Sequence, residues 1–351
     1  MKIGIVCPCY NEEEFLESFF SSVRKQTIFN NRAIEVVVLI VDGNSTDKTK
    51  MIIENLSQEY VFVHYLENTK RFVSDGLNLA IDFLKDGSFD FMVRMDVHAE
   101  YPLNYIEILL SSFLSLEKSG NKVGNVGCAI ETMAHNGGLK AEIIAEAMSS
   151  KFGVGTSDFR VSGDNLNEVK LVDTVPFGFF RVDTFRKVGG FDVEFIRNQD
   201  DEFNHRLSLN GYKLFLIPGI KVKYFSRSSY ASLSKMFYQY GLFKPLVSKK
   251  LGSPASLRQF VPSIFVFSLF ASLLISNFVS PVPILLLSIA YLLMCFIFTI
   301  QSKVVKKALF LVFPMSVYTL FLIHFSYGFG YIKGAFKLLV NSKFNKIESS
   351  R

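Results

Sequence analysis

Two side chains that can bind a divalent cation stand two positions apart in the N-terminal half of the chain. Asp96 and His98 directly follow the apolar stretch 89–95. A carboxylate and an imidazole are both common metal ligands. A cation between them can neutralise the charge that a departing diphosphate accumulates. The alternative is structural, with Asp96 capping the helix near Pro102 and His98 packing against the loop.

Carboxylates also cluster at three other places. Asp42 ends an apolar stretch and precedes the turn-forming residues 43–47, while Glu12 closes the segment 8–12. Three consecutive acids, Asp200, Asp201 and Glu202, lie in a stretch with the pattern of a helix. On a helix Asp201 points about 100° away from Asp200, so the three carboxylates do not all face one cleft.

The stretches around these residues alternate between apolar strands and amphipathic helices, which is typical of a mostly parallel sheet covered by helices. In such sheets ligands bind beyond the carboxyl ends of the strands, where most of these residues fall. The expected strands are 2–9, 34–41, 60–66, 89–95, 123–130, 172–181 and 213–225. The expected helices are 12–25, 46–57, 73–84, 103–116 and 198–210, and residues 135–164 form a stretch spaced by Gly and Ser.

Five motifs in this order resemble family 2 glycosyltransferases, and within them the succinoglycan-type exopolysaccharide transferases, whose metal motif reads Asp-x-His-Ala. The motifs are residues 8–12, 41–49, 94–99, 189–192 and 198–207. The resemblance covers about residues 2–225. It implies an α/β fold of the GT-A type, a Rossmann-like, mostly parallel sheet that binds a nucleotide sugar, followed by hydrophobic membrane helices.

The resemblance assigns a donor site to the first three motifs. Asp96 and His98 would hold Mn²⁺ or Mg²⁺, the histidine favouring Mn²⁺ slightly. Asp96 would also contact the donor, a nucleotide sugar that we expect to be a UDP-sugar. The other residues assigned to this donor are Pro8, Tyr10, Glu12, Asp42, Arg71 and Asn78. Two structural alternatives remain: Glu12 is favoured in a first helical turn by the helix dipole, and the segment with Arg71 and Asn78 is an ordinary solvated turn.

The last two motifs correspond to an acceptor loop and a catalytic-base helix. An inverting transfer needs a carboxylate opposite the leaving group, and Asp200 takes that position. Gln199 stands where the family has Glu, and Asp201 is solvated or paired with an arginine. The residues assigned to the acceptor are Phe177, Gly178, Gly190, Phe191, Gln199 and Glu202. The phenylalanines are as often core residues, and Arg206 can anchor the helix by an ion pair.

Charge and hydropathy change toward the C-terminus. From Lys244 onward there are twelve Lys and Arg residues but a single acid, Glu348. Residues 260–278, 282–300 and 308–329 contain no charged side chain, and each approaches or exceeds the ~20 residues that span a bilayer. The alternative is three buried core helices. Because the charges are separated by long apolar runs, a membrane is the better partner, and no nucleic acid is expected.

The flanking charges predict a hairpin made by the first two apolar stretches, with both ends cytoplasmic. A third crossing would export Lys333 and Lys337, against the positive-inside bias. The third stretch is interrupted by Pro314 and Gly328, and a re-entrant or interfacial segment is therefore an alternative to a spanning one. No secretory signal is visible, and the four cysteines lack zinc or thioredoxin spacing. We therefore expect the catalytic domain on the cytosolic side of the inner (cytoplasmic) membrane.

These patterns predict a glycosyltransferase domain at 1–230, an amphipathic juxtamembrane linker at 231–258, membrane helices at 259–332 and a basic tail at 333–351. The predicted function is inverting transfer of a sugar from a nucleotide-diphosphate donor to a hydroxyl of a lipid-linked or polysaccharide acceptor. The alternatives are a polyprenyl-phosphate sugar transferase and a non-catalytic, membrane-anchored nucleotide-sugar-binding subunit. Each of these three functions is compatible with partners in a polysaccharide assembly complex or with a homo-oligomer.

Overall fold

The computed structural model describes residues 1–135, 137–155, 157–161, 166–226, 229–254, 256–306, 308–340 and 344. The chain divides into two compact units. The catalytic unit contains Met1–Glu131 and Ser162–Tyr224, and the helical unit contains Thr132–Val161 and Phe225–Ser350. The segment Thr132–Val161 therefore groups with the C-terminal helices, whereas the sequence predicted a continuous first domain at 1–230. Lys343, Lys346 and Arg351 of the predicted basic tail lie outside the described residues.

The strands are, in chain order, β1 (Lys2–Cys9), β2 (Glu35–Asp42), β3 (Val63–Glu67), β4 (Phe91–Arg94), β5 (Ala99–Glu100), β6 (Val123–Met133), β7 (Lys170–Val172), β8 (Phe179–Arg181) and β9 (Lys213–Phe225). The helices are, in chain order, α1 (Leu16–Arg24), α2 (Thr49–Glu59), α3 (Val73–Asp86), α4 (Tyr105–Lys118), α5 (Leu139–Ser149), α6 (Lys151–Val154), α7 (Asp158–Val161), α8 (Val182–Val188), α9 (Gln199–Leu209), α10 (Tyr230–Leu251), α11 (Val261–Phe278), α12 (Val282–Gln301) and α13 (Leu309–Leu339). Short 3-10 turns cover Thr27–Asn30, Leu257–Phe260 and Lys303–Lys306.

One half of the sheet is parallel, as predicted. β3, β2, β1 and β4 are neighbours in that order, and all three pairings between them are parallel. β1 and β2 are almost entirely buried because helices cover both faces, and this explains their continuous apolar sequence. The carboxyl ends of β1, β2 and β4 consequently meet at one edge of the sheet.

The other half of the sheet is antiparallel, so the sheet is mixed. β4 pairs with β8, β8 with β6, and β9 with both β5 and β7, each in antiparallel fashion. The predicted single strand 172–181 is two strands, β7 and β8. Phe177 and Gly178 between them have φ angles of 58° and 102°, and this left-handed backbone interrupts a strand.

An aromatic core beneath the sheet holds α9 in place. Phe203 of α9 stacks on Phe185 of α8, with ring centroids 5.2 Å apart, and meets Phe180 of β8 at 5.7 Å. Leu77 and Met92 belong to the same buried cluster. The apolar side of α9 is thereby fixed against α3, α8 and the sheet, which sets the position of the acidic first turn of α9.

The helical unit is built on α10 to α13. Three of its helical stretches are long and apolar enough to cross a membrane: Leu257–Phe278, Val282–Gln301 and Leu309–Leu339. The last is one continuous helix of 31 residues despite Pro314, so the interruption expected there and at Gly328 is absent. The helices α5 to α7 were not predicted. α5 has no pronounced polar face because most of its residues are buried within the helical unit.

Candidate active site

The strand ends that carry the predicted donor residues lie side by side. In the register of the sheet Cys9 is opposite Asp42, and Val6 is opposite Arg94. The segments after β1, β2 and β4 therefore share one edge, which is the position where open α/β sheets bind ligands. Every donor residue that follows one of these strands is placed at this edge.

A buried arginine joins the third and fifth motifs of the sequence. Arg94 is 5% exposed and contacts Asp96 through Nε to Oδ1 at 3.0 Å and Nη2 to Oδ2 at 3.4 Å. Its Nη1 donates to Oδ1 of Asp200 at 2.6 Å. Arg94 thus holds the predicted metal ligand and the predicted base in a single network, although they are far apart in sequence.

The network shifts the ionisation of its members. Burial alone would lower the pKa of Arg94, but Asp200 and Asp96 raise it above its ordinary value, so the guanidinium stays charged. The pKa of Asp200 is raised, first by desolvation and then by repulsion from Asp96 and Asp201, while Arg94 acts in the opposite direction. The side chain of Asp200 remains 36% exposed, so its carboxylate is open to a ligand. A carboxylate with a raised pKa is a better proton acceptor.

His98 faces the end of β1. Its Nδ1 lies 3.6 Å from Oε1 of Glu12, and both side chains are largely buried. The ring of Tyr224, at the end of β9, meets the His98 ring edge-on with centroids 5.0 Å apart. Glu12 is therefore close enough to orient the imidazole, a role that the sequence did not indicate.

Tyr101 secures the backbone at the metal motif. Its hydroxyl accepts from the backbone N–H of Asp96 at 2.6 Å. Desolvation first, and then the charge of Asp96, raise the pKa of the Tyr101 phenol well above its ordinary value, so it stays neutral. The side chain fixes the turn that presents Asp96 and His98.

The loops after β1 and β2 are hydrogen-bonded to each other. Oγ of Ser45 donates to Asp42 at 2.5 Å and accepts from the backbone N–H of Asn11 at 2.9 Å. The N–H of Glu12 donates to Oγ1 of Thr49 at 2.8 Å. Asp42 is fully buried, so it anchors the β2 loop, and the two loops form one rigid wall.

Arg71 and Tyr10 form the exposed part of this wall. Nη2 of Arg71 donates to the Tyr10 hydroxyl at 2.6 Å, and the guanidinium carbon lies 5.0 Å from the ring centroid. Arg71 has a φ of 69°, a conformation that costs free energy in a non-glycine residue and is common at ligand sites. Pro8 lies within β1 and is buried.

Asn78 clamps the predicted acceptor loop. Its Nδ2 donates to the Phe191 carbonyl at 2.7 Å, and its Oδ1 accepts from the Phe191 N–H at 2.8 Å. A side chain at Gly190 would place its Cβ 2.3 Å from Oδ1 of Asn78, so this position requires glycine. The structure shows Asn78 positioning the loop, and its contact with a nucleotide stays a prediction.

Glu202 and Arg206 hold the same loop from α9. Glu202 is 3% exposed and accepts from Arg206 at both oxygens, at 2.6 and 2.9 Å. Arg206 also donates to the carbonyls of Val188 and Gly190, each at 2.7 Å. Glu202 therefore faces Arg206 and the loop. Arg206 anchors the helix by an ion pair, which was one of the two interpretations of this residue in the sequence.

The predicted aromatic acceptor contacts are mostly buried. Phe191 is 3% exposed and belongs to the core with Phe203, while Phe177 is 7% exposed and packs edge-on against Tyr101 with centroids 6.0 Å apart. The expectation that the Phe191 ring stacks on a sugar is corrected by this placement: the ring fills the core, and only the loop backbone remains for contact. Gln199 is buried at the first position of α9, next to Asp200.

Arg94 and Tyr101 are the functional residues that the sequence analysis missed. Arg94 stands within the metal motif, at the end of a strand whose other residues are all apolar. A charged residue in such a strand is a signal in itself, because an unpaired charge is rarely buried. Tyr101 carries no such signal.

Asp96 and His98 are the pair of metal ligands that the resemblance predicts. Asp96 and His98 supply two donors, and among the residues that the structure describes no three His, Cys, Asp or Glu side chains are grouped to hold an ion. Two protein ligands suit an ion that completes its coordination with the phosphate oxygens of a substrate.

The fold and the carboxylate-rich edge define a class, the glycosyltransferases of the GT-A fold. The solved mannosyltransferase PcManGT from Pyrobaculum calidifontis, in complex with GDP-Man and Mn²⁺, superposes with a TM-score of 0.57 at 16% identity, covering 97% of this chain and 87% of its own. At this identity the match supports the fold alone.

The family follows from sequence comparison. The family model "Glycosyl transferase family 2" matches residues 4–143. The succinoglycan biosynthesis protein ExoA of Rhizobium meliloti (strain 1021) is 30% identical over 282 residues, 80% of each chain. The chain therefore belongs to glycosyltransferase family 2.

A second relative matches nearly the whole chain. It is the dolichyl N-acetyl-alpha-D-glucosaminyl phosphate 3-beta-D-2,3-diacetamido-2,3-dideoxy-beta-D-glucuronosyltransferase of Methanococcus voltae, 27% identical over 344 residues, with 95% of this chain and 97% of the relative covered. The similarity thus extends through the apolar C-terminal helices.

Proposed function

We propose that the chain is an inverting glycosyltransferase. It moves a sugar from a nucleotide-diphosphate donor, a UDP-sugar, to a hydroxyl of a lipid-linked or polysaccharide acceptor. The observation that carries this proposal is the contact of Arg94 with both Asp96 and Asp200. It joins the phosphate side of the predicted site to a carboxylate that can take a proton.

Asp200 is the general base. Its carboxylate takes the proton of the acceptor hydroxyl while that oxygen forms a bond to the anomeric carbon. The bond between the anomeric carbon and the diphosphate oxygen breaks on the opposite side, and the nucleotide diphosphate leaves with the electron pair. One displacement inverts the configuration. The raised pKa of Asp200 makes it a stronger base than an ordinary aspartate.

Asp96 and His98 would hold Mn²⁺ or Mg²⁺. Their oxygen and nitrogen donors suit either ion, Tyr101 fixes the motif backbone, and Glu12 lies near the imidazole. When bound, the ion would supply charge neutralisation at the departing diphosphate. Arg94 supplies positive charge to the same region and forms an ion pair with the Asp96 carboxylate.

The interlocked loops form the nucleotide wall of the proposed site. Tyr10 offers a ring for the base, Glu12 offers a carboxylate for ribose hydroxyls, and Arg71 offers a cation to the diphosphate. Arg71 and Tyr10 are hydrogen-bonded to each other at the exposed part of the wall. Pro8 and the buried Asp42 support the wall from β1 and β2, while Asn78 holds the acceptor loop.

The acceptor enters between the turn at 177–178, the loop at 190–191 and the start of α9. Gly178 and Gly190 let Phe180 and Asn78 pack closely against the backbone of these segments, and Gln199 adjoins the base. Glu202 contributes through Arg206, which holds the loop. The names of the two relatives that match most of the chain refer to succinoglycan biosynthesis and to a dolichyl phosphate that already carries a sugar. They favour a saccharide acceptor over polyprenyl phosphate itself.

The apolar C-terminal helices support membrane association. We place the catalytic unit on the cytosolic side of the cytoplasmic membrane, where nucleotide sugars are available. Partners in a polysaccharide assembly complex or a second copy of the chain are compatible with this placement.

A donor screen tests the proposal. The full chain in detergent is incubated with each common nucleotide sugar and Mn²⁺, with lipid-linked saccharides as acceptors, and nucleotide diphosphate release is measured. We expect acceptor-dependent release with one donor. A product that extracts as a phospholipid carrying a single sugar would establish the polyprenyl-phosphate alternative, and donor binding without any release would establish the non-catalytic one.

A further inference from the structure

Both ends of α13 lie at the same end of the α11–α12 hairpin. Near its start, Val312 packs with Val304, which follows α12. Near its end, Tyr331 packs against Phe260, which precedes α11, with ring centroids 5.6 Å apart. Because the base of the hairpin is where α11 begins and α12 ends, α13 returns to the level from which it started.

The middle of α13 contacts the hairpin at the midpoints of its two helices. Phe325 meets Phe270 of α11 with centroids 6.3 Å apart, and Nδ1 of His324 lies 2.9 Å from the Tyr291 hydroxyl of α12. The far half of the hairpin presents its large apolar side chains to the outside: Leu273, Leu274, Ile275, Phe278, Val279, Val282, Leu285, Leu286 and Ile289. A helix of 31 residues is about 46 Å long, so α13 would reach this far half if it ran beside the hairpin.

Charged helices flank α13 along its length. Its second half packs on α10, where Oγ of Ser326 and Oγ of Ser234 are 2.8 Å apart and Lys333 lies over the ring of Tyr238. α10 carries four lysines: Lys235, Lys244, Lys249 and Lys250. A charge at the centre of a membrane helix costs about 2.5–3.5 kcal/mol, so α10 belongs at the membrane surface, and α13 must lie at its level.

The first half of α13 packs on α5 and α6. Ile144 and Met148 of α5 share a buried cluster with Leu320 of α13, and Nε2 of His324 lies 2.6 Å from the Phe152 carbonyl. This segment also carries charges: Lys140, Glu142, Glu146 and Lys151. It lies in the chain between strands β6 and β7.

One face of α13 remains apolar and open. In its second half the exposed large side chains recur at helical spacing: Phe329, Ile332, Phe336, Leu339 and Val340. A helix with charged helices on one side and an aromatic apolar face on the other fits the boundary between headgroups and acyl chains.

We propose that α13 lies in the plane of the membrane interface, across the base of a hairpin that crosses the bilayer. The chain then crosses twice, and residue 340 is on the side from which the chain enters the membrane. Lys333 and Lys337 stay with Lys303 on that side, in agreement with the positive-inside bias. The partner of the exposed α13 face is the lipid of the entry leaflet. This inference rests on the proposed membrane placement and is independent of the sugar transferred.

Cysteine labelling tests the topology without measuring transfer. All four cysteines are buried, and replacing them with alanine gives a background for single cysteines. Asn277→Cys marks the tip of the hairpin, Val340→Cys the end of α13, and Lys118→Cys the catalytic unit. A membrane-impermeant maleimide is applied to sealed right-side-out and inverted vesicles.

We expect Val340→Cys and Lys118→Cys to react in inverted vesicles only, and Asn277→Cys in right-side-out vesicles only. Reaction of Val340→Cys from the same side as Asn277→Cys would establish a third crossing and overturn the proposal. Reaction of all three from one side would show that the hairpin does not cross, which overturns it as well.

Immersion depth gives a second measurement. Spin labels at Phe310→Cys and Phe336→Cys sit on exposed positions 26 residues apart, about 39 Å along a helix. Oxygen and nickel-chelate accessibility in reconstituted vesicles reports the depth of each label. An in-plane helix gives both labels a similar shallow depth, whereas a crossing helix places them at opposite surfaces. The latter result would overturn the proposal even if labelling of Val340→Cys failed.

Discussion

The carboxyl edge of the sheet and the α11–α12 hairpin depart from ordinary burial in opposite directions. At the sheet edge Arg94, Asp96 and His98 are charged or polar and yet at least nine-tenths buried. Along the hairpin Phe267 and Ile289 are apolar and yet 70% and 62% exposed. Buried charge is stable only when it is paired, and exposed apolar surface only when another phase covers it.

The difference shows what each region requires. The charges at the sheet edge satisfy one another through Arg94 and stay available for a charged substrate. The hairpin has no such internal solution, because large apolar side chains of its far half, such as Phe278 and Ile289, are exposed in the part of the chain that the structure describes. We therefore expect the first region to bind a polar ligand and the second to contact lipid.

The largest effect is expected from removing the arginine that joins the network. Arg94→Met leaves Asp96 and Asp200 without their common partner, and breaking a buried pair costs about 3–5 kcal/mol. We expect transfer to fall about 10³-fold and thermal unfolding to begin at a clearly lower temperature. Arg181→Met, which removes a partly exposed pair with Glu117, is the matched control. Transfer within tenfold of wild type in Arg94→Met would show that the network has no role.

The hairpin is tested by adding charge to its exposed face. Phe267→Lys and Ile289→Lys should each oppose insertion by about 2.5–3.5 kcal/mol, so the double variant should leave the membrane fraction. Sedimentation of vesicles measures the fraction retained. Leu209→Lys, on an exposed position of α9, controls for surface charge. Full retention of the double variant would contradict lipid contact.

A smaller effect is expected at the loop clamp. Glu202→Gln loses the ion pair with Arg206 but keeps a polar side chain of the same size. The loop carrying Gly190 loosens, so the KM for acceptor should rise about tenfold while donor binding is unchanged. Calorimetry measures the affinity for the donor, and initial rates at varied acceptor concentration measure the acceptor KM. Glu59→Gln is the surface control, and an equal loss of donor affinity would place Glu202 in the donor site.

The smallest effect concerns the pH dependence. Because Asp200 must be ionised to accept a proton and its pKa is raised, activity should fall at a higher pH than for an ordinary aspartate. Asp201 contributes to this rise, so Asp201→Asn should move the acidic limb of kcat/KM to lower pH by a few tenths of a unit. The limb should not move in Asp82→Asn. A shift to higher pH would contradict the assignment.

The sequence predicts β1 and β2 well because each is a nearly continuous apolar run followed by turn residues. β1 and β9 match the predicted bounds, and the site edge follows from where those runs end. The helix α5 was missed because contacts within the helical unit, not local periodicity, bury it. The division between β7 and β8 depends on two left-handed residues that leave no mark in the apolar pattern.

The sequence predicted where the candidate site lies better than it predicted which side chains contact each other there. The prediction that Asp96 and Asp200 share one site agrees with their common partner, but Arg94 was passed over as part of a motif. The contact between Asn78 and Phe191 could not be predicted from the sequence. The two residues are more than a hundred positions apart, and only the fold brings the loop of Phe191 against Asn78.

The most direct test of the central claim compares Asp200→Asn with Asp201→Asn in the full chain. Both variants remove one charge from the same turn of α9, and asparagine can still accept a hydrogen bond from Arg94. Transfer to the acceptor and binding of the donor are measured on each. The account predicts that Asp200→Asn lowers kcat about 10²–10⁴-fold with donor binding intact, whereas Asp201→Asn stays within a few-fold of wild type. Equal rates in the two variants would contradict it.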